Sequence, residues 1–83
     1  LIQIRQWEIF FNKNNNKNKL VSRYLYEHLF LAHFYFESDP KVFFRLVRSK
    51  TMCEKEIQEI ATRRPNESPG VDNFYYCLEK YNG

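Results

Sequence analysis

The sequence predicts an α+β fold, two helices followed by a small antiparallel sheet, with a mainly α arrangement as the alternative. Three observations carry that reading. Ile4, Trp7 and Phe11 recur at helical spacing, Leu20 to Phe36 is apolar over most of a helical circumference, and the second half breaks into short apolar and aromatic runs separated by turn residues.

The first helix is placed at about residues 2–12, with Ile4, Trp7 and Phe11 on one face. The run Asn12-Lys13-Asn14-Asn15-Asn16-Lys17-Asn18-Lys19 then reads as a solvated loop, because Asn side chains compete for backbone hydrogen bonds. The second helix is placed at about residues 20–36. Val21, Leu25, Leu29, Ala32 and Phe36 form one stripe, and Tyr24, Leu31 and Tyr35 lie beside it. A helix apolar on so many sides is normally buried on several of them. A chain of 83 residues can hardly wrap it, since one this short buries only about 60% of its unfolded surface.

Ser38-Asp39-Pro40 either ends that helix or opens another. Val42, Phe43, Leu46 and Val47 suit a helical face, while alternation through Phe44, Leu46 and Arg48 suits a strand, and periodicity leaves the choice open. Ile57 to Arg63 reads as a strand, Pro65 to Gly70 as a turn-rich loop, and Phe74 to Leu78 as a short aromatic strand.

Composition narrows the function classes. Net charge is only +3, with ten acidic residues interspersed among thirteen basic ones. A nucleic-acid module would use Arg45, Arg48, Lys50, Arg63 and Arg64 on phosphates and the tyrosines as stacking platforms, but the aromatics sit largely in core patterns. The longest uncharged apolar stretch, Leu29 to Phe36, falls well short of the roughly 18–20 residues that a membrane span needs. Cys53 and Cys77 form no metal-binding or haem-attachment spacing, and two unpaired structural cysteines are the expected state, with a disulfide as the alternative.

Three ordered blocks carry a resemblance: Ser22-Arg23-Tyr24-Leu25-Tyr26-Glu27-His28-Leu29-Phe30-Leu31-Ala32-His33, then Phe43 to Ser49, then Ile60 to Pro65 followed by Pro69-Gly70. Together with Phe74-Tyr75-Tyr76 they resemble the bacterial fatty acid cis/trans isomerases over nearly the whole chain. The chain departs from the family's pattern at Met52-Cys53-Glu54 and at Asn66-Glu67-Ser68, both in expected loops.

The resemblance implies a periplasmic enzyme that converts cis double bonds of phospholipid acyl chains to trans. It also implies a c-type haem, because a C=C bond rotates only when its bond order is transiently lowered, and chemistry of that kind belongs to a cofactor. The CxxCH attachment motif does not occur in these residues. The chain is therefore read as one segment, 1–83, of a larger isomerase, inactive alone and partnered by the remainder of the same polypeptide. The alternative is a small basic and aromatic module that binds nucleic acid or a protein.

Three sets of residues are candidates for roles. His33 and His28 are candidate haem ligands, and on one helix their spacing turns them about 140° apart, so at most one is axial. His33 ranks first because the expected helix places it on an aromatic side. Arg63 and Arg64 are candidates for gripping a lipid phosphate. Arg23 and Glu27, spaced i, i+4, are expected to pair and to fix the fold.

Overall fold

The computed structural model describes residues 2–81. Helix α1 spans Ile2–Phe11 and α2 spans Asn16–His28; strands β1, β2 and β3 span Phe34–Phe36, Asp39–Ser49 and Tyr75–Tyr81. The strands form one antiparallel sheet in the order β1-β2-β3, so the α+β reading holds. Among the described residues, no helix is long and apolar enough to cross a membrane.

Helix α1 forms where the spacing of Ile4, Trp7 and Phe11 places it. Phe11 is buried, Ile4 packs against the core, and Trp7 stacks on Phe11 with ring centroids 5.8 Å apart. Helix α2 differs from expectation at both ends. It begins inside the Asn-Lys run, because Asn15 is extended and its side chain accepts the backbone N–H of Asn18 at 2.8 Å. The property that weakens Asn inside a helix, a short side chain that reaches nearby backbone, makes it a strong N-cap.

The helix ends at His28 rather than at Phe36. Phe34 pairs with Phe44 and Phe36 with Asp39 in an antiparallel hairpin closed over Glu37-Ser38. Aromatic residues lose side-chain freedom in a helix and pack well on a pleated surface, and cross-strand partners decide between the two. Only Ser22 and Tyr26 of α2 are buried, while Leu20, at the start of the expected helix, and Leu31, expected beside its apolar stripe, are 69% and 86% exposed. Ser22 is small enough for the end of α1 to approach closely, and its hydroxyl donates to the Phe11 carbonyl at 2.8 Å.

Strand β2 resolves the open choice at residues 42–47 in favour of a strand. Pro40 sits near its start, where a missing N–H costs least. Pairing with β3 runs from Phe43↔Tyr81 to Ser49↔Tyr75. Phe44 and Leu46 of β2 and Leu78 of β3 join Phe11 and Tyr26 in the core. The expected strand at Ile57–Arg63 reduces to a single bridge between Ser49 and Glu59, because residues 50–60 double back onto the end of β2.

Cys53 and Cys77 are joined in a disulfide, with Cα atoms 5.5 Å apart. This corrects the expectation of two unpaired cysteines. The register that sets Cys77 opposite Val47 and the fold-back that brings Cys53 to it are both long-range features.

β3 is an edge strand, and α1 covers its open edge. Asn12 accepts the Tyr76 N–H and donates to the Tyr76 carbonyl, both at 2.8 Å. One helical turn earlier, the Glu8 carboxylate accepts the Leu78 N–H at 2.9 Å. Four residues of helix rise about 6 Å and two residues of strand about 6.7 Å, so the i, i+4 pair matches alternate residues of the strand. An unpaired edge that would otherwise template aggregation is thereby closed.

Candidate functional site

Alternation along β2 sends Phe44, Leu46 and Arg48 to the same side of the strand, so the row that builds the core ends in a cation. Arg48 is only 5% exposed. Its guanidinium lies 4.9 Å from the Tyr26 ring centroid and 5.7 Å from that of Phe74. Nη2 donates to the Thr62 hydroxyl at 3.1 Å, whereas Nε is buried with no hydrogen-bond partner. None of the ion pairs among the described residues includes Arg48. Three residues earlier on the same strand, Arg45 reaches Glu59 at 2.5 Å and Glu79 at 3.0 Å.

Around Arg48 lies a cavity of about 250 Å³. Tyr26 and Arg23 come from α2, Tyr76 from β3, Phe74 from just before it, and the turn Pro65–Pro69 closes the far side. Phe74 meets Tyr76 edge-on at 5.3 Å, and Tyr26 lies 5.6 Å from Tyr76. Burial pushes the Tyr76 hydroxyl above its ordinary pKa, and the Arg48 charge opposes that shift. A larger, open depression of about 670 Å³ adjoins it through Arg23, Phe74 and Tyr76 and carries Lys13, Lys19 and Asp72. The cations around the two outnumber the acids, which are Asp72 and Glu67.

The arrangement suits binding rather than bond-making. Ser68 lines the cavity without a histidine beside it, and its hydroxyl accepts the Gly70 N–H at 3.2 Å. A buried guanidinium that carries no ion pair is instead equipped to hold an oxyanion by charge-assisted hydrogen bonds, and water exclusion strengthens them.

The residues singled out from sequence are dispersed. Arg63 and Arg64 are exposed and do not line the cavity; Arg64 acts through its backbone, its N–H donating to Glu67 at 2.7 Å and its carbonyl accepting from Thr62 at 2.8 Å. Arg23 and Glu27 do pair, at 3.5 Å, but on the surface, with side chains 68% and 36% exposed.

His28 is exposed at the last turn of α2, its ring 4.5 Å from that of Tyr24. His33 lies beyond the helix, so the two histidines do not share one helical axis. It is exposed and stacks on Tyr81 at 3.7 Å, on the sheet end that also carries Tyr35 and Phe43. Neither histidine lines either cavity.

Two residues escaped the sequence reading. Glu8 is the buried acid among the described residues, 6% exposed, with its carboxyl pushed above the usual range chiefly by burial and partly restrained by the Leu78 N–H and Arg5. It lies with Cys53 and Cys77 in a group whose ligand-type atoms fall within 4.8 Å of one another, but both sulfurs are spent in the disulfide, so the cluster is structural. Arg48 was one cation among several, and the only signal was its place in the alternation after Phe44 and Leu46.

No curated protein and no solved structure matches the chain. A family model does, that of the fatty acid cis/trans isomerases, and the match runs over residues 2–83. All three sequence blocks, both helices, the sheet and the Arg48 cavity fall inside that span, and the chain belongs to the fatty acid cis/trans isomerase family.

Proposed function

We propose that this chain is part of a periplasmic, haem-dependent enzyme that converts cis double bonds of phospholipid acyl chains to trans, and that the segment holds and orients substrate rather than isomerising it. The family match over residues 2–83 carries the reading. Three further observations support it. The sequence contains no CxxCH, so a covalently attached haem belongs to another part of the polypeptide. Ile2, Leu20 and Leu31 are 76%, 69% and 86% exposed, which suits a segment whose outer surface is covered by the remainder of that polypeptide. The Arg48 cavity sets a buried cation against aromatic rings, a surface with the two-sided character of a phospholipid.

The test compares the full-length protein containing this segment, the same protein with the segment deleted, and the 83 residues alone. Each is incubated with vesicles of cis-unsaturated phospholipid, and the trans fraction is measured by gas chromatography of the released acyl chains. Conversion by the haem-loaded full-length protein alone is the expected result. Conversion by the 83 residues without haem, or undiminished conversion after deletion, contradicts the reading.

A further inference from the structure

We propose that the cavity around Arg48 is a phosphate-binding site, and that its occupant is the headgroup phosphodiester of the phospholipid whose acyl chain is isomerised. This deepens the functional reading above and rests on it for the lipid, though not for the phosphate. A buried cation without a counter-charge loses several kcal/mol of hydration, by order of magnitude, and a fold retains one when something outside the fold supplies the anion. Arg48 meets that description: it is 5% exposed, its Nε is buried without a partner, and no carboxylate pairs with it among the described residues.

The same strand shows the alternative. Arg45 is less buried and takes two carboxylates, so acids are within reach of β2 where the fold uses them. The Tyr26 and Phe74 rings and the Thr62 hydroxyl hold the Arg48 guanidinium in place without neutralising it. That is pre-organisation: the side-chain entropy is lost on folding rather than on binding.

Three features point to phosphate of the lipid type. Arg23 lines the cavity as a second guanidinium, its pairing with Glu27 being long and solvent-exposed. The opposing acid in the cavity wall, Glu67, is exposed and committed to the Arg64 N–H at 2.7 Å. The remaining wall is formed by Tyr26, Phe74 and Tyr76, so an anion at Arg48 has apolar surface beside it, as the glycerol side of a phosphodiester requires. Beyond it, the open depression carrying Lys13 and Lys19 gives an approach of favourable sign.

The experiment is isothermal titration of the full-length protein with three probes: dihexanoylphosphatidylglycerol as monomer, dihexanoylglycerol without the phosphate, and inorganic phosphate. The phospholipid is expected to bind at least about tenfold more tightly than the diacylglycerol, and Arg48→Met to lose about that factor, equivalent to about 1.4 kcal/mol. Arg23→Gln, a change on an exposed helical face, is expected to weaken binding in the same direction and serves if Arg48→Met fails to fold. Inorganic phosphate binding that depends on Arg48, with no preference for the lipid, supports the phosphate site and counts against the lipid reading of the function. Equal binding of the two lipids, binding indifferent to both arginine substitutions, or no binding of either phosphate probe overturns the proposal.

Discussion

Glu8 and Arg48 are the two charged side chains buried almost to completion among the described residues, at 6% and 5% exposure, and they are treated in opposite ways. Around Glu8 the polar groups are accounted for. Its carboxylate takes the Leu78 N–H, Asn12 takes both backbone groups of Tyr76, and the Cys53–Cys77 disulfide ties residues 50–60 to the same strand. Around Arg48 the buried Nε stays unpaired, and the neighbours are rings, a threonine and a cavity. The difference separates scaffold from site: a buried polar group whose hydrogen bonds close on its own fold belongs to the scaffold, whereas a buried cation left without a counter-charge is kept for something that arrives later.

The comparison breaks first at the disulfide. The bridge closes a loop of 24 residues, and constraining a loop of that size stabilises a fold by about 3 kcal/mol. Reduction, or Cys53→Ser with Cys77→Ser, is expected to lower the urea midpoint by that order. A midpoint unchanged by reductant would show that the clamp around β3 does not depend on it.

Glu8→Ala comes next. Removing a buried acceptor from the Leu78 N–H leaves that donor unsatisfied, a loss of about 1–3 kcal/mol. The pH dependence has a definite sign. The folded-state pKa of Glu8 is raised, so between its unfolded and folded values the native state binds more proton than the unfolded state. The contribution is fully present below the unfolded pKa and is lost as pH rises through the folded one. Glu8→Gln is expected to flatten that decline in a series of urea midpoints upward from pH 4, and an unflattened decline would assign it to another group.

The smallest of these expected effects belongs to Glu27. Its pair with Arg23 is solvent-exposed, and such i, i+4 pairs contribute about 0.3–0.5 kcal/mol. Glu27→Ala should therefore barely move the midpoint. A loss as large as that of Glu8→Ala would mean that Glu27 is buried in the assembled enzyme.

Much of this contrast lay beyond the sequence, for definable reasons. α1 was legible because Ile4, Trp7 and Phe11 hold one helical period, and the sheet was legible as a class because turn residues punctuate the second half. The end of α2 was not, since Phe34-Tyr35-Phe36 continues an apolar run and only the pairing with β2 turns it into a strand. The disulfide and the Glu8 clamp join residues far apart in the chain, so no local pattern marks them. At the candidate site the sequence pointed to arginines next to the proline-rich turn, Arg63 and Arg64. The turn does wall the cavity, but the cation inside it comes from β2. Type and neighbourhood were readable; which arginine the fold buries was decided by strand register.

The most direct measurement is the urea midpoint of Arg48→Met against wild type, with and without dihexanoylphosphatidylglycerol. Exchanging a buried, uncompensated cation for an apolar side chain of similar length is expected to leave stability within about 1 kcal/mol of wild type, or to raise it. The lipid should then stabilise wild type alone, because a ligand that binds only the native state raises its stability by mass action. A loss in Arg48→Met as large as that in Glu8→Ala, with no effect of lipid on either protein, would show that Arg48 belongs to the scaffold.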